Sequence, residues 1–195
     1  DVYKRQDVTA KESEMVSVPP NSEVSEAGGT LVDLKSLTRE ELRQWVVDAL
    51  GERPFRGDQL FRWIHGRRAR TFDVMTDLSR ALRERLEAIA YIGGLALEEI
   101  LVSSDGTRKI LLKTWDDHRI ETVVMPMGER VTQCVSSQVG CKIGCDFCLT
   151  ARMKVRRDLT PAEIVDQVLW AMYVLAQPEA EDMPRDRVNN LVYMG

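Results

Sequence analysis

Apolar residues recur at helical spacing from Leu42, with Leu42, Val46 and Leu50 on one stripe, the pattern of a half-buried helix. Thr38 and Glu41 form a capping box ahead of it, and Gly51 stands where a glycine C-cap would. Residues 54–57 read as a turn. The same period returns over 58–65, with Leu60, Phe61 and Ile64 inward, and over 79–90, with Leu82, Leu86 and Ile89 on one face. At Leu95 the pattern changes to strands. Asp105-Gly106 is a hairpin-type turn, 107–114 alternates, and Asp116-Asp117 starts another turn. Residues 119–125 are β-branched and apolar, and 131–136 is the next strand. Helical signals resume at Thr160, an N-cap followed by Pro161 and completed by Glu163. This helix is expected to face a core with Ile164, Val168, Met172 and Leu175. A polar loop over 178–187 leads to 190–194, which reads as a buried strand. Residues 1–30 show no apolar period and carry Pro19-Pro20 and Gly28-Gly29, so they read as a disordered tail.

The order strand, loop, helix, loop, strand from 131 onward is one βαβ unit, the opening of a parallel barrel. The expected fold class is therefore α/β. Four regions follow: the tail 1–30, a helical N-terminal domain 31–92, a β extension 93–130, and the start of a partial (β/α) barrel 131–195. In barrels of this type chemistry sits at the carboxyl ends of the strands, and the loop after Ser136 leaves from such an end.

At 195 residues the chain suits one domain, or a small domain plus part of another. Hydrophobic content of 44% and charged content of 30% are ordinary for a globular protein. No apolar run is long enough to span a bilayer and no charged-then-apolar signal opens the chain, so a cytoplasmic protein without membrane partners is expected. The net charge of −4 hides uneven placement: Arg53 to Arg70 holds six arginines against one acid, Asp58. Arg152, Lys154, Arg156 and Arg157 form a second basic group. Such patches either solvate a surface or grip phosphates.

All four cysteines lie between residues 134 and 148. Cys141, Cys145 and Cys148 have the spacing C-x3-C-x2-C, and Cys134 lies seven residues upstream. Thiols this dense in a chain without a secretion signal read as a metal site rather than disulfides. A closed zinc site usually uses two short pairs, and only Cys145 and Cys148 make one here. Three thiolates on one loop suit three corners of a [4Fe–4S] cluster. Soft thiolates serve both metals, so zinc stays open on spacing alone. Gly140 and Gly144 would let the backbone wrap closely around either.

With Phe147 before the last cysteine, this spacing resembles the radical S-adenosylmethionine signature. The wider runs Cys134-Val-Ser-Ser-Gln-Val-Gly-Cys141, Cys148-Leu-Thr-Ala151 and Arg157-Asp-Leu-Thr-Pro-Ala-Glu-Ile-Val-Asp-Gln167 closely resemble the RlmN/Cfr family. These enzymes methylate an adenine ring carbon in RNA. The resemblance runs from about Leu31 to Gly195. It implies that Cys141, Cys145 and Cys148 hold a [4Fe–4S] cluster, whose open iron binds S-adenosylmethionine. Phe147 would pack near the cofactor adenine, or else be a core residue. Reductive cleavage of the cofactor gives a radical, so a one-electron donor such as flavodoxin is implied. The implied RNA partners are 23S rRNA and tRNA, bound by a monomer.

The resemblance also implies two catalytic residues. The family first places a methyl group on a cysteine far downstream and joins it to the RNA base. Cys134 matches the second cysteine, which releases that covalent link by forming a disulfide. Glu121 matches the proposed acceptor of the ring proton, and it is unusual in the otherwise apolar run Ile120-Glu121-Thr122-Val123-Val124. The helical domain is linked in the family with RNA recognition. The family's Gly-Glu-Pro motif would start just past Gly195, and no cysteine follows Cys148. The expectation is a truncated piece of a longer enzyme, inactive alone. Val139, where the C8-methylating branch can carry an extra cysteine, favours C2 methylation over C8. A reading from another class is a zinc-ribbon RNA-binding module that uses all four cysteines and catalyses nothing.

Overall fold

A computed structural model describes residues 3–6, 31–148, 150, 155–181 and 183–194. The chain divides into two compact units. One ends at Gly94; the other begins at Leu95 and takes in an N-terminal strand.

The first unit is helical. A short strand β2 (Val32–Asp33) pairs in parallel with β3 (Ala90–Tyr91). Between them run α1 (Arg39–Leu50), α2 (Phe55–Phe61), a wide turn over Arg62–Gly66, and α3 (Arg80–Ile89). Thr38 caps α1 as expected: its Oγ1 accepts from Glu41 N at 3.3 Å, and its own backbone N–H donates to Glu41 Oε2 at 2.8 Å. Gly51 closes the helix at φ 63°, a conformation that costs glycine little. Leu42, Val46, Leu60, Ile64 and Leu86 are almost wholly buried together, each contributing about 2 kcal/mol by its removal from water. Helix α2 starts three residues before the expected 58–65. Pro54 is already in the helical region at φ −54° and seeds the turn. Gly57 then sits against α1, where a Cβ would lie 2.6 Å from Arg43 Cα. Phe61 and Ile89, expected inward, are only partly buried against this core.

The second unit is a six-stranded sheet with the order β1-β4-β5-β6-β7-β10. Its strands are β1 (Tyr3–Gln6), β4 (Ala96–Ser103), β5 (Arg108–Lys113), β6 (Arg119–Met127), β7 (Arg130–Ser136) and β10 (Asn190–Met194). All neighbours are antiparallel except β7 and β10, which run parallel with Cys134 opposite Val192. The crossover between these two is α4 (Pro161–Leu175), so the expected βαβ unit is present. A minor ladder, β8 (Gln138–Val139) with β9 (Arg157–Asp158), lies between β7 and α4.

Three expectations change. Tyr3–Gln6 forms an antiparallel strand on β4, inside the stretch read as a disordered tail; residues 7–30 lie outside the described residues. Strand β10 is an edge rather than buried, with Leu191, Val192 and Tyr193 exposed. Helix α4 buries Ala162, Trp170, Ala171, Val174 and Leu175, together with Glu163, Asp166 and Gln167. Val168 and Met172 are only half-buried. The helix is turned by its polar partners. Asp166 accepts from Leu95 N at 2.6 Å, and Trp170 Nε1 donates to Leu95 O at 2.9 Å. The Gln167 amide accepts from Ser136 N at 2.8 Å and donates to Ser136 O at 2.9 Å. Buried polar groups must be satisfied, and these contacts outrank a purely apolar stripe.

Candidate functional site

Alternation along β7 divides its side chains between two faces. Val131, Gln133 and Val135 are buried, as is Thr132 on the other face, and Gln133 Nε2 donates to the Gln167 carbonyl of α4 at 2.8 Å. Cys134 and Ser136 therefore lie on the face away from α4. In β6, Ile120, Thr122 and Val124 are buried while Glu121 and Val123 are not. Val123 is the direct partner of Cys134, so Glu121 shares the Cys134 face, one diagonal step away. Such diagonal neighbours lie about 7–8 Å apart. The two residues singled out for catalysis thus come together on one open face. Ser136 Oγ donates to the Glu121 carbonyl at 2.8 Å and braces the two strands.

Glu121 has a partner that sequence reasoning missed. Lys109 Nζ on β5 donates to Glu121 Oε1 at 3.0 Å. The turn 114–118 sets the register that puts Leu111 opposite Glu121 and Lys109 opposite Val123. The alternating run Lys109, Leu111, Lys113 is the signal that could have found it. Cys134 is half-buried, and that burial pushes its thiol pKa up. At neutral pH it rests as a thiol, and becomes a nucleophile only when a base takes its proton.

The loop with the other three cysteines leaves the carboxyl end of β7. Cys141, Cys145 and Cys148 are all half-exposed, and none is in a disulfide. Gly140 and Gly144 take positive φ, 85° and 75°, the turns expected of them. Cys148 N donates to Cys145 O at 3.1 Å. Among the described residues no group of three or more His, Cys, Asp or Glu is drawn together closely enough to hold a metal. The donor chemistry nonetheless fits an iron–sulfur cluster: three accessible thiols on one glycine-turned loop. Metal binding itself supplies the free energy that gathers such ligands. Phe147 is 93% exposed and Ile143 74%, so Phe147 is not a core residue of this chain.

The second basic group needs a correction. Arg157 is not available for phosphates: its guanidinium pairs with Asp116 at 2.8 Å and Glu163 at 2.7 Å. Those carboxylates raise the Arg157 pKa, and Arg157 holds Asp116 well below the usual carboxylate range. Arg156 is exposed; Arg152 and Lys154 lie outside the described residues. In the helical unit Arg53, Arg62, Arg67 and Arg68 are exposed. The Arg67 guanidinium lies 4.1 Å from the Trp63 ring centre, a cation–π geometry. Trp63 is fixed in turn by donating from Nε1 to Asp77 Oδ1 at 2.5 Å.

Residues 32–92 match the family described as "Ribosomal RNA large subunit methyltransferase N-terminal domain". Over 169 residues the chain is 47% identical to the dual-specificity RNA methyltransferase RlmN 2 of Myxococcus xanthus, covering 87% of this chain and 44% of that protein. It is also 47% identical over 165 residues to the dual-specificity RNA methyltransferase RlmN of Magnetococcus marinus, covering 85% and 45%. The chain is similar to RlmN methyltransferases over most of its own length, and residues 32–92 match the N-terminal domain of that family. A crystal structure of a radical SAM methyltransferase from Sphaerobacter thermophilus is 36% identical with a TM-score of 0.69, covering 82% of this chain and 45% of that one. The chain spans a little under half the length of the RlmN relatives it matches. The mixed α/β fold read from the sequence agrees with that neighbour, and among the described residues no helix is long and apolar enough to cross a membrane.

Proposed function

We propose that this chain is the N-terminal part of a radical S-adenosylmethionine methyltransferase that methylates C2 of adenine in 23S rRNA and tRNA. The observation that carries the reading is the shared open face of Glu121 and Cys134, next to the strand end from which the cysteine loop leaves. Cys141, Cys145 and Cys148 would hold the [4Fe–4S] cluster. With S-adenosylmethionine bound there, that cofactor would supply the methyl group, and the cluster would pass it the electron that starts the radical chemistry, taken from a one-electron donor such as flavodoxin.

The chain's own residues do the rest. Phe147, exposed on the loop, would pack near the cofactor adenine. Glu121 accepts the ring proton at its carboxylate, which Lys109 keeps anchored on the open face. Once its proton is removed, Cys134 would form a disulfide with the methyl-carrying cysteine of the full-length protein, whose sulfur–carbon bond to the RNA breaks while the carbon keeps the electron pair and takes a proton. The arginines at the exposed corner after α2 would hold RNA phosphates, which position RNA without reading its sequence. RNA modification of this kind would take place in the cytoplasm. The test is nucleoside analysis of RNA treated with a full-length protein carrying these residues: 2-methyladenosine is expected, and 8-methyladenosine would assign it to the other branch.

Charge reversal at Arg67 and Arg68 tests the RNA surface. The paired substitution is expected to weaken RNA binding and to flatten its salt dependence, by a slope of about 0.7 for each lost phosphate contact to a single strand. An unchanged slope would make these arginines an ordinary solvated face.

A further inference from the structure

The base of the cysteine loop is closed by hydrogen bonds between its two ends. Gln138 pairs with Asp158 and Val139 with Arg157 across the β8–β9 ladder. Arg156 N donates to Val139 O at 2.9 Å, and Leu159 N to Ser137 O at 2.9 Å. The Gln138 side chain reaches Asp158 Oδ1 at 2.5 Å, and Lys142 Nζ reaches the same oxygen at 3.3 Å.

Arg157 then fastens this neck to the rest of the unit. Its Nε and Nη2 donate to the two Asp116 carboxylate oxygens, each at 2.8 Å. Its Nη1 and Nη2 donate to the two Glu163 oxygens, each at 2.7 Å. Each anchor is itself fixed. Asp116, in the β5–β6 turn, accepts from Thr114 Oγ1 at 2.6 Å. Glu163, in the first turn of α4, accepts from Thr160 N at 2.8 Å. The Trp115 ring centre lies 5.3 Å from the guanidinium carbon. The Arg157 side chain is 22% exposed and that of Glu163 only 3%. Four short bonds to two carboxylates in a planar fork are the strong, geometrically specific kind, unlike an exposed surface pair.

We propose that Arg157 is a positioning residue: it mounts the neck of the cysteine loop on the β5–β6 turn and the first turn of α4, so that the three thiols are presented from a fixed base. The loop can then close on a cluster without its ends having to be ordered at the same time. The purpose rests on the cluster reading above; the mount itself does not.

The test uses the 195-residue chain, with Asp116→Asn and Arg157→Lys as alternative breaks in the fork. In metal-free protein, hydrogen exchange at the Arg156 and Leu159 amides should quicken about tenfold in either variant, the scale of losing a charged hydrogen bond. The strand amides of β5 should keep their protection. After reconstitution, a chelator should strip iron about tenfold faster from both variants. Arg119→Met breaks the pair with Glu98, at 2.7 and 3.0 Å in the same sheet, and should alter neither rate. Unchanged exchange at Arg156 and Leu159 would overturn the proposal, as would equal loss of protection throughout the unit, which marks a merely structural pair. If the unaltered chain takes up no iron, the cluster reading fails, and the exchange rates still decide whether Arg157 mounts the neck.

Discussion

Reconstituted anaerobically with iron and sulfide, this chain should turn brown and hold about four irons, as one cubane cluster requires. Cys141→Ala, Cys145→Ala and Cys148→Ala should each abolish that uptake, because three thiolates on one loop leave no spare ligand. Cys134→Ala should not. Cys134 lies within β7, between Val123 and Val192, on a strand and not on the loop that carries the other three thiols. It is also half-buried with a raised pKa, which disfavours the thiolate that metals need. The expected pattern is therefore three essential cysteines and one dispensable one. Colourless protein with one zinc per chain, lost in all four variants, would replace the cluster with a zinc ribbon.

The helical unit was legible in the sequence because its signals are local. The Thr38–Glu41 box, Gly51 and the Leu42–Val46–Leu50 stripe each act within a few residues, and each is present. The strands were legible for the same reason, through the Asp105-Gly106 and Asp116-Asp117 turns. What was not legible depends on contacts across long stretches of chain. The rotation of α4 follows from Leu95 meeting Asp166 and Trp170, and from Gln167 clasping Ser136. Neither pairing has a sequence spacing that announces it. Arg157 looked like one more phosphate-binding cation, because nothing local shows that Asp116 lies against it. The Cys134–Glu121 juxtaposition was foreseeable as chemistry only through the family likeness, and as geometry only once the β6–β7 register was fixed.

That juxtaposition sets the last expectation, for a full-length protein of this family carrying these residues. Glu121→Ala should leave iron content and S-adenosylmethionine binding intact, since Glu121 is on β6 and the cysteines are on the loop beyond β7. Product formation should fall by ~10²–10⁴-fold, the usual contribution of a general base. Cys134→Ala should stall at a different step. The base proton can still leave through Glu121, but no thiol remains to free the RNA, so a covalent protein–RNA species should build up and run slowly on denaturing gels. The two residues share a face without sharing a role, and the trapped adduct should separate them: it keeps the ring proton in Glu121→Ala and has lost it in Cys134→Ala. Normal turnover by Cys134→Ala would remove its part in release. Loss of iron in that variant, with no trapped RNA, would instead make Cys134 a ligand, because a thiol acting only on product has no hold on the metal.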